Sequence, residues 1–310
     1  MGSADGKMPA QPSDGKTAGG QPAAKTEKAE VVEPLPKEDM KDLQAELDSY
    51  IGLATVKEEV RNLINMASVY KLRRQHDLPT TDMSLHMVFT GNPGTGKTMM
   101  ARMMARIYRS LDILSKGQLV EVDRSGLVAG YVGQTAIKTQ KVIQKAIGGV
   151  LFIDEAYALN GKSENDFGQE AIDTILKAME DHRDDLVVIV AGYTDLMDRF
   201  IHSNPGLESR FNRFLLFEDY TPDEMLDIFK MQCKKGCYQL SDGVEELVRD
   251  YITEENGDPE TFGNARGVRN IFEHILVAQN NRLAAMETVT KEDLMTLTQD
   301  DVLHARGKLD

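Results

Sequence analysis

The sequence predicts an α/β domain with a parallel β-sheet, followed by a smaller all-helical domain. Between residues 85 and 218, five short apolar runs alternate with helical segments. Nearly continuous apolar strands separated by helices are typical of a parallel sheet covered on both faces. After residue 220 the segments have helical periodicity, and several begin with a Ser or Thr cap. The predicted strands are LHMVFT 85–90, QLVEVD 118–123, GVLFID 149–154, LVVIVAG 186–192 and RFLLFE 213–218.

The beginning of the chain differs in composition from the rest. Residues 1–30 contain no Val, Ile, Leu, Phe or Tyr, which indicates a disordered polar segment. From residue 36 apolar positions recur at helical spacing, with a break at Gly52 that predicts two helices around a turn. We therefore expect a tail over 1–35, an α/β domain over 36–220 and a helical domain over 221–310.

Charge and cysteine content restrict the classes of function. The net charge of −14 over 310 residues argues against a nucleic-acid partner, because a polyanion would be repelled over most of the surface. The two cysteines have no histidine nearby to complete a zinc site, and so few thiols fit a reducing compartment. Without an apolar N-terminal run or an 18-residue apolar stretch, we expect no membrane partner and a cytoplasmic location.

The stretch GNPGTGKT at 91–98 predicts a phosphate-binding loop. It matches G-x-x-x-x-G-K-[ST] and lies between a predicted strand and a predicted helix. Its glycines allow backbone N–H groups to converge on phosphate oxygens, and the helix N-terminus adds positive potential. Lys97 would reach the β- and γ-phosphates of ATP, and Thr98 would bind Mg²⁺. The predicted nucleotide-binding residues here are Asn92, Pro93, Gly94, Thr95, Gly96, Lys97, Thr98 and Met99.

A second acidic motif follows the third predicted strand, in GGVLFIDEAY. Asp154 and Glu155 come at the carboxyl end of that strand, where ligands of such sheets bind. Asp154 would hold the magnesium ion through water, and Glu155 would orient and polarise the attacking water. The alternative is an acidic strand end that caps the next helix. With the phosphate loop, the motif predicts ATP hydrolysis in which Lys97, Asp154 and Glu155 take part.

Four motifs in this order, GNPGTGKT, VLFIDEAYAL, NPGLESRF and GNARGVRN, resemble those of the AAA+ ATPases, a branch of the P-loop NTPases. More narrowly, residues 114–139 and 166–193 are similar to the group that contains the red-type Rubisco activase CbbX and stage V sporulation protein K. The similarity extends from about residue 40 to about residue 300. It implies a sheet of order 5-1-4-3-2, a helical lid and a ring that is usually hexameric.

The resemblance also implies roles for residues on either side of the phosphate loop. Ile51 and Gly52 in SYIGLATVK correspond to the segment that lines the adenine pocket, although a plain turn at a helix start is the alternative. The fourth predicted strand leads into Tyr193 and Thr194, where many relatives carry asparagine. Thr194 is the candidate for the first sensor, since its hydroxyl could hydrogen-bond the same water.

Two arginine roles follow from the same resemblance. Arg210 in ESRF corresponds to the arginine finger, which acts on the nucleotide of a neighbouring subunit, and Arg213 is the alternative. Arg266 in NARGVRN resembles the second sensor, which the lid carries toward the γ-phosphate of its own subunit. Arg269, one turn later on the same helix face, is the competing candidate.

The stretch GYVGQT resembles the aromatic pore loop of such rings. Tyr131 and Val132 would contact an extended polypeptide in the central channel, and Gly130 and Gly133 would allow the loop to move. The alternative is a tyrosine that packs against its own domain.

The resemblance thus implies an ATP-driven hexameric motor that remodels a protein client. In one branch of the group the client is the Rubisco large subunit; another branch is tied to sporulation, and no motif here selects between them. Two other functions stay open. A nucleotide-gated ring scaffold would assemble with ATP but thread nothing, and a nucleic-acid motor is disfavoured by the acidic charge.

Overall fold

Five strands form one parallel sheet at the centre of the α/β part of the protein. The computed structural model describes residues 33–79, 84–131, 133–161 and 167–307. The strands are β1 Met87–Gly91, β2 Leu119–Val122, β3 Val150–Ile153, β4 Val187–Gly192 and β5 Phe214–Phe217. Their order is β2-β3-β4-β1-β5, and every pair is parallel. This is the expected order 5-1-4-3-2 counted from the other edge, so the predicted fold class is confirmed.

Helices cover both faces of this sheet because successive strand residues point to opposite sides. Val88 and Leu151 are buried in one apolar cluster, whereas their neighbours Phe89 and Phe152 are buried in the other. The helices of this part are α1 Met40–Ser49, α2 Ala54–Gln75, α3 Lys97–Ser110, α4 Arg124–Leu127, α5 Thr135–Ala146, α6 Gly168–Asp181, α7 Thr194–His202 and α8 Pro205–Arg210, with a 3-10 turn at Ala156–Leu159. The break expected at Gly52 separates α1 from α2.

The C-terminal part is helical, as the sequence predicts. It begins with a capping box in which the Thr221 hydroxyl accepts from the Glu224 N–H and the Glu224 carboxylate accepts from the Thr221 N–H. The helices are α9 Pro222–Lys235, α10 Val244–Glu255, α11 Pro259–Phe262, α12 Ala265–Ala284, α13 Lys291–Met295 and α14 Gln299–Ala305.

One feature of the C-terminal part has no counterpart in the sequence prediction. Two short strands, β6 Gln239–Leu240 and β7 Thr296–Leu297, pair in parallel. A two-residue strand is too short to produce an apolar run or an alternating pattern, so periodicity could not reveal it. Within the described parts of the chain, no helix combines the length and apolarity needed to cross a membrane.

Candidate nucleotide site

The phosphate loop connects β1 to α3 and lies at the carboxyl edge of the sheet. Gly94 and Gly96 have φ angles of +73° and +96°, which residues with a side chain rarely adopt. Gly96 directly precedes the first residue of α3, so the loop leads into the helix N-terminus. A Cβ atom on Gly94 would also lie only 2.1 Å from the carbonyl oxygen of Gly263. The glycine is therefore required by both backbone conformation and space.

Lys97 is the first residue of α3, and its side chain crosses back over the loop. The ammonium donates hydrogen bonds to the carbonyl oxygens of Gly91 at 2.8 Å and Asn92 at 2.7 Å. Burial lowers the pKa of Lys97 to about 8, although the Asp154 carboxylate opposes this shift. A bound phosphate would favour the charged ammonium and offer it oxygen acceptors.

Asp154 and Glu155 follow β3 directly, at the same edge of the sheet. Asp154 accepts a hydrogen bond from the Glu155 N–H at 3.0 Å. Glu155 has a φ of +49°, a left-handed conformation that costs free energy for a non-glycine residue. This turn directs the chain away from the strand and leaves the Glu155 side chain exposed beside the pocket.

These elements enclose a cavity of about 250 Å³. Its walls contain most of the residues predicted from the phosphate loop, both acidic residues and one arginine from the C-terminal part. The lining residues are Gly91, Pro93, Gly94, Gly96, Lys97, Thr98, Met99, Asp154, Glu155, Gly192, Tyr193 and Arg266. Loop glycines, a lysine and a helix N-terminus suit a nucleotide's phosphates. The Thr98 hydroxyl and the Asp154 carboxylate are hard oxygen donors that suit Mg²⁺.

Two predicted loop residues take structural positions instead of lining the cavity. The Asn92 amide donates to the Asp219 carboxylate at 3.1 and 2.9 Å. The buried Thr95 hydroxyl donates to the Asn92 carbonyl oxygen at 2.8 Å. Both side chains therefore hold the loop conformation.

Ile51 and Gly52 do not line the cavity, although the next residue, Leu53, lies close to Gly96 of the phosphate loop. A Cβ atom on Gly52 would be 3.1 Å from the Tyr220 ring and 2.7 Å from the Glu224 carboxylate. The Tyr220 hydroxyl in turn donates to the Thr95 carbonyl oxygen at 3.4 Å. The segment thus packs against the junction between the two parts of the chain, next to the loop.

The candidate sensor residues differ in their distance from the cavity. Arg266 lines the cavity, whereas the Arg269 guanidinium is paired with Glu273 at 2.9 Å on the exposed face of α12. Thr194 is the first residue of α7, is exposed and is not among the lining residues. Tyr193, one residue earlier, occupies the edge of the cavity where Thr194 was expected.

The two candidate arginine fingers lie away from the cavity of their own chain. Arg210 ends α8, and its guanidinium pairs with Glu180 at 3.2 Å while 31% of its side chain stays exposed. The Arg213 Nε donates to the Ser84 carbonyl oxygen at 3.0 Å. Both guanidinium groups thus donate to a backbone carbonyl oxygen of their own domain, Arg210 to that of Gly206 at 3.4 Å, and Arg210 also forms a surface ion pair.

Tyr131 lies on the surface, between α4 and α5. Its side chain is 74% exposed, which contradicts the alternative of a tyrosine packed in its own domain. A Cβ atom added to Gly130 or Gly133 would have no other atom within 4 Å. Val132, the third residue of the expected pore loop, lies outside the described residues.

Four residues in or next to the cavity were given no site role from the sequence: Gly192, Tyr193, Asp219 and Asn264. Asn264 has no exposed surface, and its side-chain amide donates to Asp219 at 2.8 Å. The asparagine in GNARGVRN was visible as part of a motif, but its partner lies 45 residues away along the chain. No local pattern connects the two.

Comparisons with known proteins agree with this geometry. Residues 87–219 match the model of the ATPase family associated with various cellular activities (AAA), and residues 221–309 match the AAA lid domain. The chain is 45% identical to the chloroplastic ribulose bisphosphate carboxylase/oxygenase activase of Cyanidioschyzon merolae, over 87% of this chain and 92% of that protein. It is 40% identical to stage V sporulation protein K of Bacillus subtilis, over 85% of this chain and 82% of that protein. It is 43% identical to protein CbxX (chromosomal) of Cupriavidus necator, over 89% of this chain and 88% of that protein.

Solved structures share the fold at lower sequence identity. The ADP complex of the FIGL-1 AAA domain has a TM-score of 0.57 at 18% identity, over 89% of this chain and 93% of that one. A RuvB variant from Thermotoga maritima has a TM-score of 0.56 at 19% identity, over 85% of this chain and 71% of that one. Taken together with the high identity to the curated relatives, the site geometry leads to one assignment. The chain belongs to the AAA ATPase family, in the group of the chloroplast Rubisco activase and stage V sporulation protein K, and is an enzyme that binds nucleotide and hydrolyses ATP.

Proposed function

We propose that the protein is an ATP-driven remodelling motor that works as a homo-hexameric ring and pulls on a client polypeptide. The observation that carries the proposal is the exposed Tyr131 between two unobstructed glycines, in a chain similar to a Rubisco activase over most of its length. An exposed aromatic side chain offers a large contact area that tolerates many client sequences.

Hydrolysis is assigned to the residues that line the cavity. Lys97 and the loop N–H groups bind the phosphates, and Thr98 and Asp154 hold Mg²⁺. The ion, when bound, neutralises phosphate charge that builds up during the reaction. Glu155 orients the attacking water and accepts its proton. The exposed position of Glu155 next to Asp154 at the cavity edge supports this division of roles.

The remaining sensor and finger roles are assigned to three residues. Arg266 contacts the γ-phosphate of its own subunit, which its place in the cavity wall supports. Arg210 stabilises the transition state in the site of the neighbouring subunit, after exchanging its Glu180 partner for phosphate. The first-sensor role, expected at Thr194, is assigned to Tyr193, because Tyr193 lines the cavity and Thr194 does not.

The proposed client is a protein, either the large subunit of Rubisco or an unidentified protein. The chloroplastic relative is named as a Rubisco activase, and the relative from Bacillus subtilis is named for sporulation. Tyr131, Val132 and Gly133 form the proposed client-gripping loop. The net charge of −14 disfavours a nucleic-acid client.

The test compares ATPase stimulation by an unfolded polypeptide in matched variants. Tyr131→Ala removes the aromatic contact, and Ile137→Ala truncates a side chain that is also exposed, at 61%, on the following helix. We expect the polypeptide to stimulate the Ile137→Ala variant as it does the wild type, and to lose its effect on Tyr131→Ala. Equal stimulation of both variants would contradict the gripping role and favour the scaffold.

A further inference from the structure

The lid and the phosphate loop are joined through Asn264, the residue immediately before α12. Its side chain is completely buried. The amide nitrogen donates to Asp219 at 2.8 Å and to the Pro93 carbonyl oxygen at 3.3 Å. The amide oxygen accepts from the Tyr220 N–H at 2.9 Å. A buried amide that is hydrogen-bonded to two other segments fixes their relative positions, because any displacement leaves a buried polar group unpaired.

Asp219 extends this network to the phosphate loop itself. Its carboxylate accepts from the Asn92 amide at 3.1 and 2.9 Å while it also accepts from Asn264. The carboxylate thus lies between two amides, one from the loop and one from the lid. We call Asn92, Asp219 and Asn264 the lid clasp.

The backbone of Asn264 indicates that its side chain has a purpose beyond filling space. Its φ and ψ angles are 52° and −123°, in a region that glycine adopts without strain and other residues rarely enter. A strained non-glycine residue persists only where its surroundings hold it in place. Here the hydrogen bonds of the side chain hold it, and a glycine could not form them.

Backbone contacts on both sides of Asn264 leave little room between the loop and the lid. The Ala265 N–H donates to the Gly94 carbonyl oxygen at 3.3 Å. A Cβ atom on Gly94 would be 2.1 Å from the Gly263 carbonyl oxygen and 3.1 Å from the Arg266 nitrogen. The phosphate loop and the start of α12 are therefore in direct contact.

We infer that the lid clasp positions Arg266 over the nucleotide and transmits phosphate binding from the loop to the lid. Arg266 follows Asn264 by two residues and lines the cavity. Asn264 and Asp219 are positioning residues, because they touch the loop and the lid and do not line the cavity. The inference rests on the proposed role of Arg266 at the γ-phosphate.

The first test is hydrogen–deuterium exchange of the full-length protein with and without ADP. In the wild type we expect ADP to slow exchange both in the phosphate loop and at the start of α12. In Asn264→Gly the residue can adopt the same backbone angles but has no side-chain amide. ADP should therefore still slow exchange in the phosphate loop of this variant but no longer at the start of α12. Asn270→Ala, at an exposed position on the same helix, is the matched control. Equal protection of α12 in Asn264→Gly and the wild type would overturn the inference.

The second test measures the ratio of the ADP and ATP dissociation constants, with non-hydrolysable ATP analogue as the probe. Arg266→Ala and Asn264→Gly should each lower the ratio by about tenfold, and the double variant should lower it no further, since both changes remove one coupled contact. Effects that multiply in the double variant would overturn the positioning role. If Arg266→Ala leaves the ratio unchanged, the proposed role of Arg266 fails, and the exchange experiment alone decides the clasp.

Exchanging the amide of Asn264 and the carboxylate of Asp219 tests whether the two residues act as a pair or whether their variants simply fail to fold. Asn264→Asp places a carboxylate against that of Asp219, and we expect it to reduce the ratio more than the exposed control Asn270→Asp does. Adding Asp219→Asn to Asn264→Asp again pairs one amide with one carboxylate. We expect this double variant to bring the ratio of the ADP and ATP dissociation constants back toward the wild-type value. The melting temperature of each variant shows that the protein is folded. A folded double variant that recovers nothing would overturn the paired action of the two residues.

Discussion

Arg106 fastens the first helix to the helix that begins in the phosphate loop. Its guanidinium makes hydrogen bonds to the carboxylate oxygens of Glu38 at 2.8 and 2.5 Å and of Glu46 at 2.8 and 2.8 Å. The exposed fractions are 25% for Arg106, 34% for Glu38 and 39% for Glu46. Charge-assisted bidentate bonds are strong, but partial exposure screens them. We expect Arg106→Met, which keeps most of the aliphatic stem, to lower the free energy of unfolding by about 1–2 kcal/mol.

The same ion pairs predict a pH dependence with a defined sign. Hydrogen bonds from Arg106 hold the pKa values of the Glu38 and Glu46 carboxyls below their ordinary range. A lowered folded-state pKa contributes stability that is fully present above the unfolded value of about 4.3 and is lost as the pH falls through the folded value. The difference between wild type and Arg106→Met should therefore be largest near neutral pH and shrink in acid.

Urea unfolding followed by circular dichroism, near pH 7 and near pH 3.5, tests both statements. The control is Arg61→Met, which removes one ion pair with Asp48 whose side chains are 47% and 55% exposed. We expect that control to cost less than about 1 kcal/mol. Equal losses in the two variants, or an Arg106→Met loss that persists unchanged in acid, would refute the reasoning.

Three further predictions concern the nucleotide site. Glu155→Gln should bind ATP but hydrolyse it at least about 100-fold more slowly, because an amide cannot take the proton of the attacking water; near-normal phosphate release would exclude that role. Arg210→Ala should lose turnover and regain part of it when mixed with Glu155→Gln subunits that supply the missing arginine, whereas a mixture no more active than its components would rule out action across an interface. Tyr193→Phe should slow turnover by roughly tenfold through loss of one hydrogen bond, and Thr194→Val should change it little. The reverse ranking of these last two variants would return the sensor role to Thr194.

The elements that the sequence predicted best are those governed by short-range rules. The buried strands appeared as apolar runs because both faces of a parallel sheet are covered. The capping box at Thr221 and Glu224 was predictable in kind because its partners are three residues apart. The phosphate loop was recognisable because its glycine spacing reflects a backbone requirement, here a φ of +73° at Gly94.

The parts of the site that the sequence did not predict depend on contacts between residues far apart in the chain, which no local sequence pattern indicates. Asn264 reaches Pro93 across 171 residues of sequence and Asp219 across 45. Tyr193 lines the cavity and Thr194 does not, because of the direction in which the chain leaves β4, which composition does not determine. Likewise, Arg266 and Arg269 lie on one helix face in the sequence, and only the placement of the lid separates the cavity residue from the one paired with Glu273.

The central claim, that the motor grips a polypeptide through Tyr131, is tested most directly by client capture. The Glu155→Gln protein is held in ATP, beside a Glu155→Gln/Tyr131→Ala control, and the retained proteins are identified by mass spectrometry. We predict that a client protein is retained by Glu155→Gln and lost from Glu155→Gln/Tyr131→Ala. If that client is the Rubisco large subunit, the protein is a Rubisco activase. The same proteins retained by both variants would contradict gripping by Tyr131 and support a ring that does not thread its partner.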